Sequence, residues 1–456
     1  MNSNDNGCLF VGAFEKRVAE IDRQHVRRTG VVTSPETATC IRTRTIRNAG
    51  MMPEMEEPLR TPTHNDGVVT KGDSAGQRED IPISLGVEEE LFLIDPKTRD
   101  LVIDPDIGIF ETCEQNCGPH KVVREFMRSQ IETNTRVCRS IAELRAAICD
   151  LRRIVTLAAE DYGVAAIAAS THPLARWREM EITPNERYHR FAMTFQEGVR
   201  RFIIGGTHIH IGFDDADTRI RVMTAIRRYL PLLHALSTSS PFNAGFDTGF
   251  KSYRLSLIGG LPRTGMPTPM KSWNEFESLV SAYRERCFIG DGSELWWDIR
   301  PSHHFPTIEL RICDACSRVD DVVSIAALYA SLVRWLVRLD QKDELPDEPL
   351  TEIIMEDRWV AQRYGVFAFF GEPNVDSGRV DIQDYLAELV ERIADDARAL
   401  GCEAEVRHTL KIVEQGASAD RQLDLYRMRR LEGDSNEEAL RRVVDLLLSE
   451  TRDGIV

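Results

Sequence analysis

The chain has 456 residues, with 57 basic against 73 acidic side chains and a formal net charge of −16. So large an acid excess excludes nucleic acid as the principal partner, because a phosphate-contacting face must carry net positive charge. The length allows about three domains or one large α+β enzyme domain behind a tail. The longest apolar stretches, residues 163–169 and 325–337, read as too short or too interrupted by Arg to span a bilayer.

Residues 1–80 contain no Trp or Tyr and many Ser, Thr, Asn, Gly, Pro and Arg. Such a segment buries too little apolar surface to offset its ordering entropy, and is expected to be a disordered extension. Within it, Val11, Phe14, Val18 and Ile21 have the spacing of one short amphipathic helix. From Ile81 onward the texture is that of a folded domain, read as a single catalytic unit, residues 81–456, with a helical C-terminal portion.

In chain order, residues 83–94 read as a strand stopped by Asp95-Pro96, and Ser140 with Glu143 reads as a capping box opening a helix to about Ala159. Further strands are expected at 164–169, 207–212, 295–301 and 307–314. Further helices are expected at 219–237, 276–286, 322–339, 381–400, 404–414 and 436–450. The strands alternate polar and apolar residues, which suits an antiparallel sheet with one wet face. The pairs Cys113/Cys117 and Cys313/Cys316 lack the partner pairs a structural zinc needs and read as packed, reduced thiols. Gly205-Gly206 and Gly259-Gly260 read as tight turns.

Chemistry enters through residues two apart, which point to one face of a strand: Glu88 and Glu90, His208 and His210, Asp298 and Arg300, Glu309 and Arg311. Carboxylates in number, with His but no clustered Cys, describe a hard-cation site of the Mg²⁺ or Mn²⁺ kind, whose free positions go to water and phosphates. Lys251, Arg254, Arg300 and Arg311 are candidates for holding such phosphates. No P-loop, dinucleotide fingerprint or serine-hydrolase elbow is present.

Taken together, Gly86-Val-Glu-Glu-Glu90, Ile131-Glu-Thr-Asn-Thr135, Ser170-Thr-His-Pro173, Arg187-Tyr188, Gly206-Thr-His-Ile-His-Ile-Gly212, Leu236-Ser-Thr-Ser-Ser-Pro-Phe242, Ser252-Tyr-Arg254, Trp296-Trp-Asp-Ile-Arg300 and Pro306-Thr-Ile-Glu-Leu-Arg-Ile-Cys-Asp314 resemble the type 2 glutamate–cysteine ligases, or YbdK-like carboxylate–amine ligases. The resemblance implies an α+β, glutamine-synthetase-like catalytic fold: a curved, mainly antiparallel sheet with helices on its outer face and ATP with divalent ions on its concave face. It implies Glu88, Glu90, Glu132, His208 or His210, and Glu309 as metal ligands. Arg254, Arg300 and Arg311 would hold phosphate, acyl phosphate or substrate carboxylate, with Lys251, Arg254 and Arg311 on the nucleotide. The implied reaction is ATP-dependent amide formation through an acyl phosphate, with glutamate and cysteine as the family's named acid and amine.

The chain is accordingly expected to be a cytoplasmic ligase acting on small molecules, with no nucleic-acid or membrane partner and with a homodimer left open. Two alternatives remain at this point: a metal-dependent amide hydrolase built on His208 and His210, and a non-catalytic nucleotide-binding protein of the same fold.

Overall fold

An eleven-residue strand, β1 (Ser84–Ile94), organises the fold because its alternation gives it two different faces. The computed structural model of the protein describes residues 81–371 and 378–455. The expected extension and its short helix lie outside the described residues.

Six further strands complete a seven-stranded sheet with β1: β2 (Lys121–Arg124), β3 (Gln130–Asn134), β4 (Ala165–Ile167), β5 (Thr207–Gly212), β6 (Ile299–Pro301) and β7 (Thr307–Leu310). Their order is β6-β7-β5-β1-β3-β2, with β4 also on β1, and every pairing is antiparallel. The expected antiparallel sheet is therefore present, but the expected wet face is not, because β5 and β7 are buried at every position.

One face is apolar. Leu85, Val87, Ile209, Ile211, Ile308 and Leu310 join the largest core cluster, and Leu91, Leu93, Ile131 and Val122 join another. Helices α1 (Ile141–Asp161) and α3 (Val319–Asp340) pack there. The label α2 is given to Glu186–Phe195, which lies elsewhere. Ser140 caps α1 by accepting from the Glu143 N–H at 3.1 Å, but the Glu143 carboxylate takes the Arg139 N–H, so the capping box is half realised.

Several expectations need correction. By length and composition α3, with 22 residues, is apolar enough to cross a bilayer, contrary to the reading of its apolar stretch; it is instead a core helix, with 83% of its most apolar window buried. The expected helix 219–237 breaks into Ala216–Ile226 and Leu230–Ser237, with Pro231, which has no N–H to continue the ladder, at the restart. The expected strand 295–301 is interrupted at Asp298, whose carbonyl accepts from both Arg311 and Ile312, two residues against one, as at a β-bulge. Strand β7 ends there too, at Leu310 rather than Asp314.

The two cysteine pairs are free and buried, and burial pushes the Cys113 and Cys313 thiols up to about 12, as packing rather than metal binding requires. Gly259 ends a short helix as a turn should. Gly205 is not a turn glycine. A Cβ there would sit 2.9 Å from the carbonyl oxygens of Ala169 and Glu90, so the missing side chain is what lets this backbone lie against β1.

Candidate functional site

Register assembles the second face of the sheet. Arg300 on β6 stands opposite Glu309 on β7, Glu309 opposite His210 on β5, His208 opposite Glu88 on β1, and Glu90 opposite Glu132 on β3. Cross-strand partners share a face, so the i, i+2 pairs on separate strands merge into one charged row.

Glu88 accepts contacts from both imidazoles, His208 Nδ1 at 3.1 Å and His210 Nε2 at 3.3 Å. Thr307 Oγ1, 3.0 Å from His210 Nδ1, fixes that ring from behind. Glu309 is clasped by Arg300, whose Nε lies 2.9 Å from Oε2, and by Arg311 through Oε1. Glu90 accepts from the Gly206 N–H at 2.8 Å. A Cβ on Gly206 would strike the Arg254 guanidinium, so this glycine admits Arg254 beneath the row. Arg254 donates to the carbonyls of Arg311 and Ile312 and lies 4.0 Å from Asp314. Asp314 in turn accepts from Ser239 N–H, Ser240 Oγ and Ser252 Oγ. Three motifs distant in the chain thus converge on one buried carboxylate.

Two groups of ligand atoms stand out, each with its atoms within 4.8 Å of one another: Glu88, His210 and Glu309, and Glu90, Glu125 and Glu132. Glu125 belongs to no motif quoted from the sequence. It follows β2, whose pairing of Val123 with Glu132 brings it back over β3. Its carboxylate is held by the Tyr188 hydroxyl of α2 at 3.2 Å and by the Phe126 N–H.

Electrostatics separate the two groups. Burial opposes ionisation of Glu88 and Glu309, but the imidazoles at Glu88 and the guanidinia at Glu309 outweigh it and hold both well below the usual carboxylate range. Burial and then Glu125 push Glu90 up to about 8, and burial followed by Glu125, Glu88 and Glu90 raises Glu132 well above normal. Burial, with Arg311 next, lowers His208 to about 4, leaving it a neutral ligand or acceptor.

Both groups suit a hard cation. His210 Nε2 is buried and lies 3.3 Å from Glu88 without making a hydrogen bond, a polar atom still open to another partner. The Glu90 group crowds like charges that only a cation or protons can compensate.

Three expected members are not brought into the row: Arg254, expected to hold phosphate, lies buried beneath it, spending N–H groups on the carbonyls of Arg311 and Ile312, and the other two lie further off. Lys251 is paired with Asp420 and lies over the Phe367 ring, because Ser240 and Gln362 tie its backbone to another part of the fold. Asp298, at the bulge, pairs with Arg358 at 2.6 and 3.0 Å. A cavity of about 500 Å³ is lined among others by Met127, Trp177, Arg178, Ile182 and Arg200, and none of the row's carboxylates lines it.

A Rhodospirillum rubrum protein named "Putative glutamate--cysteine ligase 2" is 42% identical over 374 residues, covering 81% of this chain and 95% of its own. A Jannaschia protein (strain CCS1) of the same name is 41% identical over 373 residues, covering 80% and 96%. Among solved structures, Francisella tularensis glutamate–cysteine ligase in complex with AMP has a TM-score of 0.60 at 14% identity, covering 82% of this chain and 90% of that one. The bifunctional glutathione synthetase of Pasteurella multocida has 0.58 at 12%, covering 82% and 53%. The fold is thus the α+β, glutamine-synthetase-like one. With residues 84–445 matching its sequence pattern, the chain belongs to glutamate-cysteine ligase family 2.

Proposed function

We propose that the chain is an ATP-dependent carboxylate–amine ligase that forms an amide, with glutamate as acid and cysteine as amine the first pair to test. The observation that supports it best is the adjacency of two cation-sized ligand groups with Arg300 and Arg311 on one sheet face.

Glu88, His210 and Glu309 would hold one divalent ion, and Glu90, Glu125 and Glu132 another. Such ions, Mg²⁺ or Mn²⁺, would neutralise nucleotide phosphates and the developing acyl phosphate. The substrate carboxylate attacks the γ-phosphorus and ADP leaves; the amine then attacks the acyl carbon and phosphate leaves. Neither step needs a protein nucleophile, in keeping with a row made of acids, imidazoles and guanidinia. Arg300 and Arg311 orient Glu309 and offer remaining N–H groups to anionic oxygen, while Arg254 stiffens the strand ends below. The paired Lys251 has no part in this proposal.

Residues 81–456 carry the reaction in this reading, in a cytoplasmic setting; of the eight free cysteines among the described residues six are buried, Cys149 is half-buried and Cys287 is exposed. The hydrolase alternative is disfavoured because both imidazoles lie against Glu88 within an acid-rich row. The test is release of ADP and phosphate that requires Mg²⁺, an amino acid and an amine together, with the amide identified by mass spectrometry. Release that needs neither acid nor amine, or amide cleavage without ATP, would overturn it.

A further inference from the structure

The charged row has a roof at one end. Helix α2 presents Tyr188 and Phe191 to Phe126, with ring centroids 5.6 and 5.5 Å apart, and Phe191 also meets Trp296 at 5.3 Å. Phe126 follows β2 at one edge of the sheet, and Trp296 precedes β6 at the opposite edge. The two edges of a six-strand path lie roughly 24 Å apart in a flat sheet, yet the segments leaving them are joined through one phenylalanine.

Besides the Phe126 backbone N–H, which reaches Glu125 Oε2, the one roof side chain among the described residues in polar contact with the ligand groups is Tyr188. Its hydroxyl lies 3.2 Å from Glu125 Oε2 and 3.3 Å from the Arg124 carbonyl. Glu125 needs such a hold. Strand β2 ends at Arg124, so Glu125 lacks the ladder that fixes Glu88, Glu90 and Glu132. Thr183 adds a tie on its backbone, donating to the Glu125 carbonyl at 2.5 Å, and the Phe126 N–H reaches Oε2, so Tyr188 supplies the hold that comes from outside Glu125's own stretch of chain.

We infer that Tyr188 is a positioning residue: its hydroxyl fixes the Glu125 carboxylate in the Glu90–Glu125–Glu132 group and fastens the aromatic roof to that ligand. The inference rests on the proposal that this group holds a divalent ion. An outer partner of a metal-ligating carboxylate sets its orientation, and removing one costs roughly ten- to a hundredfold in metal affinity.

The test is Mn²⁺ binding to the full-length protein, followed by titration calorimetry and by the electron paramagnetic resonance of free Mn²⁺, with thermal melting alongside. In Tyr188→Phe one of two Mn²⁺ sites should weaken by roughly ten- to a hundredfold while the other and the melting temperature hold. Phe191→Leu, which loosens the roof without touching Glu125, should leave both sites within about twofold of the unaltered protein, the loss falling on the hydroxyl alone. Equal Mn²⁺ binding in Tyr188→Phe and the unaltered protein overturns the inference, as does equal weakening by Phe191→Leu. If the unaltered protein binds no Mn²⁺, the metal proposal itself fails and the inference with it.

Discussion

Glu89 lies on the helix side of the sheet, where Arg152 meets both its oxygens at 2.6 and 3.0 Å and spends its other N–H groups on the carbonyls of Cys316 and Ser317. Glu90, one residue on, lies on the other side with Glu125 and Glu132 as its neighbours. Residue type and strand are the same for both, and they are neighbours in the chain, yet one carboxylate is neutralised by a buried guanidinium and the other has like charges as its nearest ligand-group partners. The first pattern closes a core; the second leaves a charge that something from outside must balance. Burial alone therefore does not mark a site. An incomplete charge balance does.

Removing one half of the internal pair should have the largest effect. Glu89→Gln leaves the Arg152 guanidinium buried without a counter-charge and should cost about 3–5 kcal/mol, read from the denaturant midpoint of unfolding. A loss below about 1 kcal/mol would show that the helix side tolerates charge as the other side does. Next, Glu88→Gln or Glu309→Gln should lower Mg²⁺-dependent turnover by more than the roughly hundredfold that an outer partner costs, with the fold retained by circular dichroism. Unimpaired turnover in both would remove them from the ligand set.

Mg²⁺ at a hundred times its dissociation constant should add about 2.7 kcal/mol to the stability of the unaltered protein for each site it fills. The same addition should do nothing for the Glu89–Arg152 pair, so Glu89→Gln should show the same increment on a lower baseline. The smallest effect is also the one of opposite sign. Without divalent ions, and at a pH above the value of about 8 to which Glu90 is pushed, Glu90→Gln should stabilise the protein by about 1 kcal/mol, because it relieves repulsion from Glu125 and Glu132. Destabilisation in that variant would mean that the acids are balanced internally after all.

Much of this row could be read before any fold was known. Strand periodicity puts Glu88 with Glu90 and His208 with His210, and the ends of β5 fall where alternation places them. Glu125 was missed because β2 is four residues long with one fully buried position, too short for a period to show. Helix α2 was missed although Asn185 caps it, accepting from the Arg187 N–H at 2.9 Å, and although Tyr188, Phe191, Ala192 and Phe195 have the i, i+3, i+4, i+7 spacing of one helix face; that signal was in the sequence. Lys251 was misjudged because a basic residue in an aromatic segment looks the same whether its partner is a phosphate or Asp420.

The amino-acid sequence by itself determined the alternation of each strand, and hence which acids, imidazoles and guanidinia share a face, because side-chain direction follows from backbone geometry residue by residue. Only the tertiary structure decided which strands stand side by side and what arrives from outside the sheet. The match of Glu309 to His210, the arrival of Glu125 and Tyr188, and the departure of Lys251 and Asp298 all depend on register and on chain returning from far away. Those contacts span tens to hundreds of residues, and no local pattern encodes them.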